Sequence, residues 1–197
     1  WFAKYPELRK QLQSDAGAIG GFPKLYAAPS DIASGPMIRA DWLDELNLPV
    51  PTNLTELHDA LKAFKDNDMA GNGATIPMST GYDQWCWGQE IFYAGFGFTN
   101  FTSDICFDLL ANPDGTVQFV SATTPYRDAV TYFHDWYAEG LMDREVFSQS
   151  TSQLIAKVSQ GRVGVTTWWE INEIAGDHAD DFVFLPPMFG PEGTEDA

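Results

Sequence analysis

IRADWLDELNLPVPTNLTELHDALKAFKDND, residues 38–68, contains three secondary-structure signals in close succession. Its first residues predict the end of a short strand, and DWLDELNL predicts a short helix with Asp41 as its N-cap. The clearest signal is the second helix, in which Asn53 is the expected N-cap and Glu56 returns a hydrogen bond to the Asn53 N–H. Leucine and phenylalanine then recur at helical spacing as far as Phe64, and the glycine-rich stretch that follows ends the helix.

Outward from this stretch, helices and strands are interleaved over the whole chain. Strands are predicted at PMIRA, ATIPMS, RVGVTTWW and DFVFLPP, and a hairpin at CFDLLANPDGTVQFV, where Asn-Pro-Asp-Gly is the turn. Further helices are predicted at FAKYPELRKQLQ, QWCWGQEIFYAGFG and SQLIAKVSQG. The longest helix has Thr124 as its N-cap, carries Val130 on its core face and ends at Gly140. This order predicts an α/β protein with a mixed sheet covered by helices.

The composition favours a folded protein that binds neutral solutes. Of the 197 residues, 44% are hydrophobic and 14% aromatic, which is typical of a globular protein. Lys and Arg total 11 against 28 Asp and Glu, so the formal net charge is -17. Nucleic acid is not an expected partner, because its phosphates require clusters of basic residues. The same charge disfavours anionic membranes and strongly anionic ligands unless a basic residue such as Arg39 intervenes.

Several stretches resemble the family 1 extracellular solute-binding proteins of ABC importers, and in particular the long lipoprotein-type sugar binders of Gram-positive bacteria. GAIGGFPK resembles the family's Gly-x-Ile-x-Gly-Phe/Leu-Pro element, and residues 38–68 resemble its Arg-x-Asp-Trp-Leu segment with the helix that follows. TPYRDAVTYFHDWYAEGLMDREVFSQ resembles the helix that ends in Tyr-x-Glu-Gly-Leu-(Ile/Met)-Asp, and QGRVGV and LPPMFGPEG resemble later elements. The matches follow the family's order over nearly the whole chain.

The resemblance implies one lobe of a type II periplasmic-binding-protein-like fold, similar to maltose-binding protein, with a solute held in a cleft between two lobes. Such proteins are about twice as long, so we expect this chain to be a fragment. Residues 1–36 would be the end of lobe one and the hinge crossing, 37–184 lobe two, and 185–197 the return to the hinge.

The function implied by the resemblance is capture of an oligosaccharide and its delivery to the permease subunits of an ABC transporter. It implies no catalysis, no cofactor, a monomer, and a location that is extracellular and anchored at the cell surface, or periplasmic. We expect any association with the membrane to come only through a lipid anchor absent from this fragment.

The first candidate site is TTWWEINE, residues 166–173, at the end of a predicted strand. Aromatic faces stack on the apolar face of a sugar ring, and polar side chains bind its hydroxyls. Because adjacent residues of a strand point to opposite faces, one of Trp168 and Trp169 can pack while the other faces the cleft. The resemblance implies a ligand-stacking aromatic here, with Glu170 and Asn172 as hydroxyl partners. The alternative is two core tryptophans and a helix-capping acid.

The second candidate site is GYDQWCWGQE, residues 81–90, after the predicted strand ATIPMS. The resemblance implies that this loop faces the cleft and supplies an aromatic, whereas the alternative places both tryptophans on the buried side of the next helix. The candidate residues are Tyr82, Asp83, Gln84, Trp85 and Trp87. Arg39 is a further candidate ligand contact, and its alternative is a structural ion pair with Asp41 or Asp44.

Two alternative functions lie outside this class. One is a carbohydrate-active hydrolase that uses Glu90 and Glu170 as its carboxylate pair, and the other is a protein-interaction module with an acidic docking face. Gly-x-Ser-x-Gly and Gly-Lys-Ser/Thr signatures are absent, as is metal-ligand spacing of Cys and His. Cys86 and Cys106 are expected to be separate buried thiols, with a disulfide as the alternative outside the cytoplasm.

KDNDMAGNGATIPM, residues 65–78, resembles a calcium loop that lacks its ligands. An EF-hand loop needs oxygen ligands at positions 1, 3 and 5, glycine at position 6 and glutamate at position 12. Neither Asp66 nor Asp68 as the first residue provides this set. The resembled family has a longer Asp-x-Asn-x-Asn-Gly loop, in which Ala70 and Thr75 of this chain replace oxygen ligands. We therefore expect no metal here.

Overall fold

The computed structural model of the chain describes residues 2, 4–21, 35–81, 89–97, 109–111 and 115–191. The chain divides into two compact units, Trp1–Asp31 and Ile32–Ala197. The first unit contains helix α1, Pro6–Leu12, which begins with proline and carries two basic residues in its last turn. The second unit contains the described strands and the other helices.

The second unit is built on a mixed sheet. The described strands, in chain order, are β1 (Gly35–Arg39), β2 (Ile76–Met78), β3 (Leu109–Ala111), β4 (Val117–Phe119), β5 (Val163–Trp168) and β6 (Phe182–Phe184). In this part of the chain, four strands form one sheet in the order β2-β5-β1-β6, in which β1 pairs antiparallel with β5 and β6, and β2 pairs parallel with β5. Strands β3 and β4 form a separate antiparallel hairpin, as predicted.

Helices cover the sheet, so the predicted fold class is confirmed. The α-helices are α2 (Ala40–Glu45), α3 (Leu54–Asp66), α4 (Thr124–Glu139) and α5 (Thr151–Ser159), and 3-10 helices lie at Gln89–Phe96, Val120–Ala122, Ile171–Glu173 and Gly176–Asp181. Of the predicted helix QWCWGQEIFYAGFG, residues 89–96 are helical and residues 84–88 lie outside the described residues. Within the described residues, no helix is long and apolar enough to cross a membrane.

The N-terminus of α3 is capped as predicted. Asn53 Oδ1 accepts a hydrogen bond from the Glu56 N–H at 2.9 Å. The return bond was predicted to go to the Asn53 N–H but goes chiefly to Thr52 instead, whose N–H and hydroxyl donate to Glu56 Oε2 at 2.8 and 2.9 Å. These two bonds lower the pKa of Glu56, and the bond from the Thr52 N–H has the larger effect.

Two predicted N-caps are wrong by one or two residues. Arg39 rather than Asp41 is the N-cap of α2, and Asp41 lies in the first turn, where its charge is favourable near the helix N-terminus. Thr123 rather than Thr124 caps α4, because the backbone is still extended at Thr123 and its Oγ1 accepts from the Tyr126 N–H at 3.3 Å.

The main core lies where α3 and α4 pack. The predicted core residues of α3, from Leu54 to Phe64, are fully buried, and the Phe64 ring meets Trp42 of α2 edge-on with centroids 5.1 Å apart. On α4, Ala129, Phe133 and Trp136 are buried. Val130 was expected on the same face but is 41% exposed, because it lies one position, about 100° around the helix, from Ala129.

Candidate functional site

The register of the sheet places the candidate residues Trp168 and Arg39 at opposite ends of the sheet. Gly35 at the start of β1 pairs with Trp168 at the end of β5, and β6 ends on the same side because it is antiparallel to β1. The Ser79 N–H, just beyond β2, donates to Val165 of β5 and so also lies towards this side, which we term the Trp168 end of the sheet. The opposite side is the Arg39 end. Since β1 has 5 residues, the two ends are about 13 Å apart.

An open pocket with a volume of about 570 Å³ lies at the Trp168 end. Its size falls within the usual range for small-ligand sites. The lining residues are Trp169, Glu170, Ile171, Asn172, Glu173 and Phe184. The structure thus brings three of the predicted contacts, Trp169, Glu170 and Asn172, around one cavity, and it adds Ile171, Glu173 and Phe184.

The two adjacent tryptophans differ in environment. Strand β5 ends at Trp168, whose half-buried ring packs on the smaller core cluster and whose Nε1 donates to Glu173 Oε2 at 3.0 Å. The Trp169 ring is 43% exposed and lines the pocket. The ring centroids are 6.0 Å apart with an interplanar angle of 71°. Trp168 therefore packs on the core and orients Glu173, while Trp169 lines the pocket.

Phe184 contributes to the pocket from β6. This residue is 56% exposed. Its ring lies close to Gly35, where an added Cβ atom would be only 3.0 Å from Phe184 Cδ1. Glycine at position 35 therefore leaves room for this ring. Sequence reasoning identified the strand but missed the residue, because its place at the pocket depends on the antiparallel pairing of β6 with β1. The available signal was an aromatic residue near the end of a predicted strand.

The pocket joins two exposed aromatic rings, those of Trp169 and Phe184, to carboxylate and amide groups. Aromatic faces can pack against the C–H face of a pyranose or furanose ring. Carboxylates accept hydrogen bonds from hydroxyls, and the amide of Asn172 can both donate and accept. This combination is chemically suited to a polyhydroxylated ligand.

Arg39 lies at the other end of the sheet. Its buried guanidinium donates to both carboxylate oxygens of Asp41, with Nε 2.7 Å from Oδ1, and its Nη2 lies 3.4 Å from Asp181 Oδ2. Its Nη1 donates to the Gly161 carbonyl at 3.3 Å, and the group lies 4.8 Å from the centroid of Trp42. The structure therefore places Arg39 in the structural ion pair that was the alternative to ligand contact.

The second predicted cluster falls outside the described residues. It comprises Tyr82, Asp83, Gln84, Trp85 and Trp87. Cys86 and Cys106 also lie outside the described residues. Glu90 belongs to the 3-10 helix Gln89–Phe96, where its backbone but not its side chain is described. Its pairing with Glu170, which the alternative hydrolase function requires, is therefore not tested by any described side-chain contact.

A buried polar network lies beside the strand that leads into this cluster. Lys157 Nζ donates to Asp143 Oδ2 at 2.7 Å, to Glu145 Oε2 at 2.7 Å and to Gln149 Oε1 at 2.9 Å. Burial opposes the charge on both Lys157 and Asp143 and is the largest single influence on each. The hydrogen bonds together outweigh it, so the pKa of Asp143 is lowered and the pKa of Lys157 is raised.

This network holds the chain where it leaves β2. The Ser79 hydroxyl donates to Asp143 Oδ2 at 2.7 Å, and Gln149 Nε2 donates to the Ser79 hydroxyl and to the Thr80 carbonyl, each at 3.0 Å. Ser79 and Thr80 are both fully buried. The backbone is therefore fixed two residues before the second predicted cluster begins.

The loop that resembles a calcium site uses its oxygen atoms internally. Asp68 Oδ2 accepts from the Gly73 N–H at 2.7 Å, and Asp68 Oδ1 accepts from the Thr75 hydroxyl at 2.8 Å. The Gly73 bond, followed by the Thr75 bond, lowers the pKa of Asp68. In the described part of the chain, no group of three or more His, Cys, Asp and Glu side chains is placed to hold a metal ion.

No protein-family model matches the chain. Over 96% of its length it is 30% identical to the fructooligosaccharide ABC transporter substrate-binding protein FusA of Streptococcus pneumoniae serotype 4. Over 97% of its length it is 26% identical to the polygalacturonan/rhamnogalacturonan-binding protein YtcQ of Bacillus subtilis. This chain is a homologue of ABC-transporter sugar-binding proteins. The resemblance identified from the sequence is therefore confirmed.

Solved structures agree with this homology. The chain matches an EF-hand mutant of FusA in complex with fructo-nystose with a TM-score of 0.81, at 28% identity over 98% of the chain. It matches an extracellular solute-binding protein of Bifidobacterium longum subsp. infantis with a TM-score of 0.81, at 26% identity over 97% of the chain. The chain spans only 36% of FusA, 39% of YtcQ and 40% of the B. longum protein, which is consistent with one lobe.

Proposed function

We propose that this chain is the sugar-contacting lobe of a solute-binding protein that captures an oligosaccharide for an ABC importer. The observation that carries the proposal is the pocket at the Trp168 end of the sheet, where exposed aromatic rings lie beside carboxylate and amide groups. The relatives support the same class, since FusA and YtcQ are both named for saccharide ligands.

Five of the six lining residues have a part in the proposed binding. Trp169 and Phe184 supply apolar faces for sugar rings, and Glu170 and Asn172 bind hydroxyls. Glu173 is held by the Trp168 indole N–H, which orients its carboxylate before a ligand arrives. Preorganisation of this kind favours affinity because less side-chain entropy is lost on binding.

The complete protein would close a second lobe over this pocket. In that arrangement residues 1–36 end lobe one and cross the hinge, residues 37–184 form lobe two, and residues 185–197 return to the hinge. Closure about the hinge commits the ligand, and permease subunits receive it. The proposed protein is a monomer that binds without turnover, located outside the cell, where a lipid anchor holds it at the surface, or in the periplasm.

The test compares saccharide binding by the chain and by its Trp169→Ala variant. Ligand-observed NMR is suitable, because it detects the weak binding expected of a single lobe and does not depend on the fluorescence of the deleted residue. We expect saturable binding of a neutral oligosaccharide by the chain, and binding at least about tenfold weaker in the variant, because stacking area is lost.

The matched control is Phe147→Ala, which removes an aromatic ring that is 57% exposed and lies outside the pocket lining. It should leave saccharide binding unchanged. Failure of the chain to bind any member of a broad panel of fructans, galactosides and glucans would reject the proposed function. Hydrolysis of chromogenic glycosides that is lost in Glu170→Gln would replace it with the hydrolase alternative.

A further inference from the structure

The described residues that line the pocket carry negative charge and include no cation to balance it. Among the described residues that line it, Glu170 and Glu173 are acidic, and none is Lys, Arg or His. Both of these acidic residues are exposed to solvent. The whole chain has the same sign, with 28 acidic and 11 basic residues. A ligand that enters this pocket therefore meets a negative potential.

The basic side chains described in the second unit are engaged elsewhere. Arg39 is paired with Asp41 at the opposite end of the sheet, and Lys157 is held by Asp143 and its neighbours beside β2. Arg162 Nε donates to the Ala74 carbonyl at 3.3 Å, also towards the Arg39 end. The remaining ones, which also lie outside the lining, are Lys62, Lys65, Arg127 and Arg144.

We propose that this pocket selects uncharged saccharides and excludes uronic-acid chains, and that Glu170 and Glu173 set this selectivity. The inference rests on the proposed function. Hydroxyl groups of a neutral sugar can donate charge-assisted hydrogen bonds to both carboxylates. A uronate would add a third negative charge beside them, and like charges that face each other across an interface oppose binding.

The relatives leave this choice open. FusA is named for fructooligosaccharides, which are uncharged, whereas YtcQ is named for polygalacturonan, which carries a carboxylate on each residue. Homology alone is therefore compatible with either ligand charge. The choice between them comes from the side chains at the pocket of this chain.

The test measures binding of neutral fructooligosaccharides and of oligogalacturonates by ligand-observed NMR. The proteins are the unmodified chain, a Glu170→Gln/Glu173→Gln variant, and an Asp128→Asn/Asp135→Asn control. The control makes the same change in net charge on the exposed surface of α4. Each titration is made at about 20 mM and about 200 mM salt, because salt screens exposed charges.

We expect the chain to bind oligogalacturonates at least about tenfold more weakly than neutral oligosaccharides at low salt. Added salt and the Gln variant should each reduce that difference, whereas the α4 control should not reduce it at low salt. Oligogalacturonate binding as tight as neutral binding would overturn the proposed selectivity. If the Gln variant did not gain affinity for oligogalacturonates, the assignment of the selectivity to Glu170 and Glu173 would be overturned. Loss of binding to both ligand classes would instead reject the proposed function, so the failures are distinguishable.

Discussion

At the residue scale, the ion pair between Lys157 and Asp143 is the interaction whose loss should be most damaging. Their side chains are only 11% and 6% exposed. Lys157→Met would leave Asp143 in a buried place without its cation. We expect this substitution to lower the free energy of unfolding by about 3–5 kcal/mol at pH 7, as measured by urea denaturation.

The control for this prediction is Lys62→Met on α3, which removes one partner of an exposed i,i+4 pair with Asp66. Its expected effect is below about 0.5 kcal/mol, because exposed pairs contribute little. A comparable loss in both variants would show that burial does not determine the effect, and would contradict the prediction.

The same pair predicts how stability depends on pH. The pKa of Asp143 is lowered from 3.8 on folding, so its contribution is present above pH 3.8 and is lost as the pH falls through the lower folded value. The pKa of Lys157 is raised from 10.5, so its contribution is complete below pH 10.5 and is lost at higher pH. The difference between the chain and Lys157→Met should therefore be largest between these limits and shrink in acid.

At the element scale, β5 depends on glycine where two helices and a strand converge. A Cβ atom at Gly164 would lie 2.6 Å from Phe64 Cδ2, 2.8 Å from the Pro77 carbonyl oxygen and 3.0 Å from Trp42 Cζ3. We expect Gly164→Ala to lower the free energy of unfolding by about 1–3 kcal/mol, because the core is overpacked. Urea denaturation measures the change.

A matched alanine substitution is available at Gly20, where a Cβ atom would meet nothing within 4 Å. This variant should unfold with the same midpoint as the unmodified chain. If Gly164→Ala also left the midpoint unchanged, the close contacts around β5 would not limit side-chain size as the prediction requires.

The same elements show which features can be predicted from sequence. Helix α3 was predictable because its core face and its Asn53 cap are local signals. The cap of α4 was displaced by one residue because Thr123 and Thr124 can both accept the bond, and the backbone conformation selects between them. The core face predicted from helical periodicity also included Val130, which lies next to the buried Ala129 but is exposed.

The candidate site divides in a similar way. Trp169, Glu170 and Asn172 are close in sequence, so a local motif could group them before the fold was known. Phe184 joins them only through the pairing of β6 with β1. Arg39 forms ion pairs with Asp41, which is nearby in sequence, and with Asp181, which is distant in sequence. Residues positioned by long-range register were therefore not accessible to local reasoning.

At the scale of the whole molecule, the second unit contains all the parts needed for a cooperative fold. The four-stranded sheet and both described core clusters are built from residues between Gly35 and Leu185. The pocket lining also belongs to this unit. Binding and stability should therefore be properties of the same folded body.

We expect a chain that begins at Ile32 to fold by itself, because these contacts bury enough apolar surface to stabilise a domain of this size. Urea unfolding followed by far-UV circular dichroism and by tryptophan fluorescence should give one coincident transition, which is the mark of two-state behaviour. Separate midpoints for the two signals would mean that the sheet and the aromatic core unfold independently. That result would contradict a single cooperative unit from Ile32 onward.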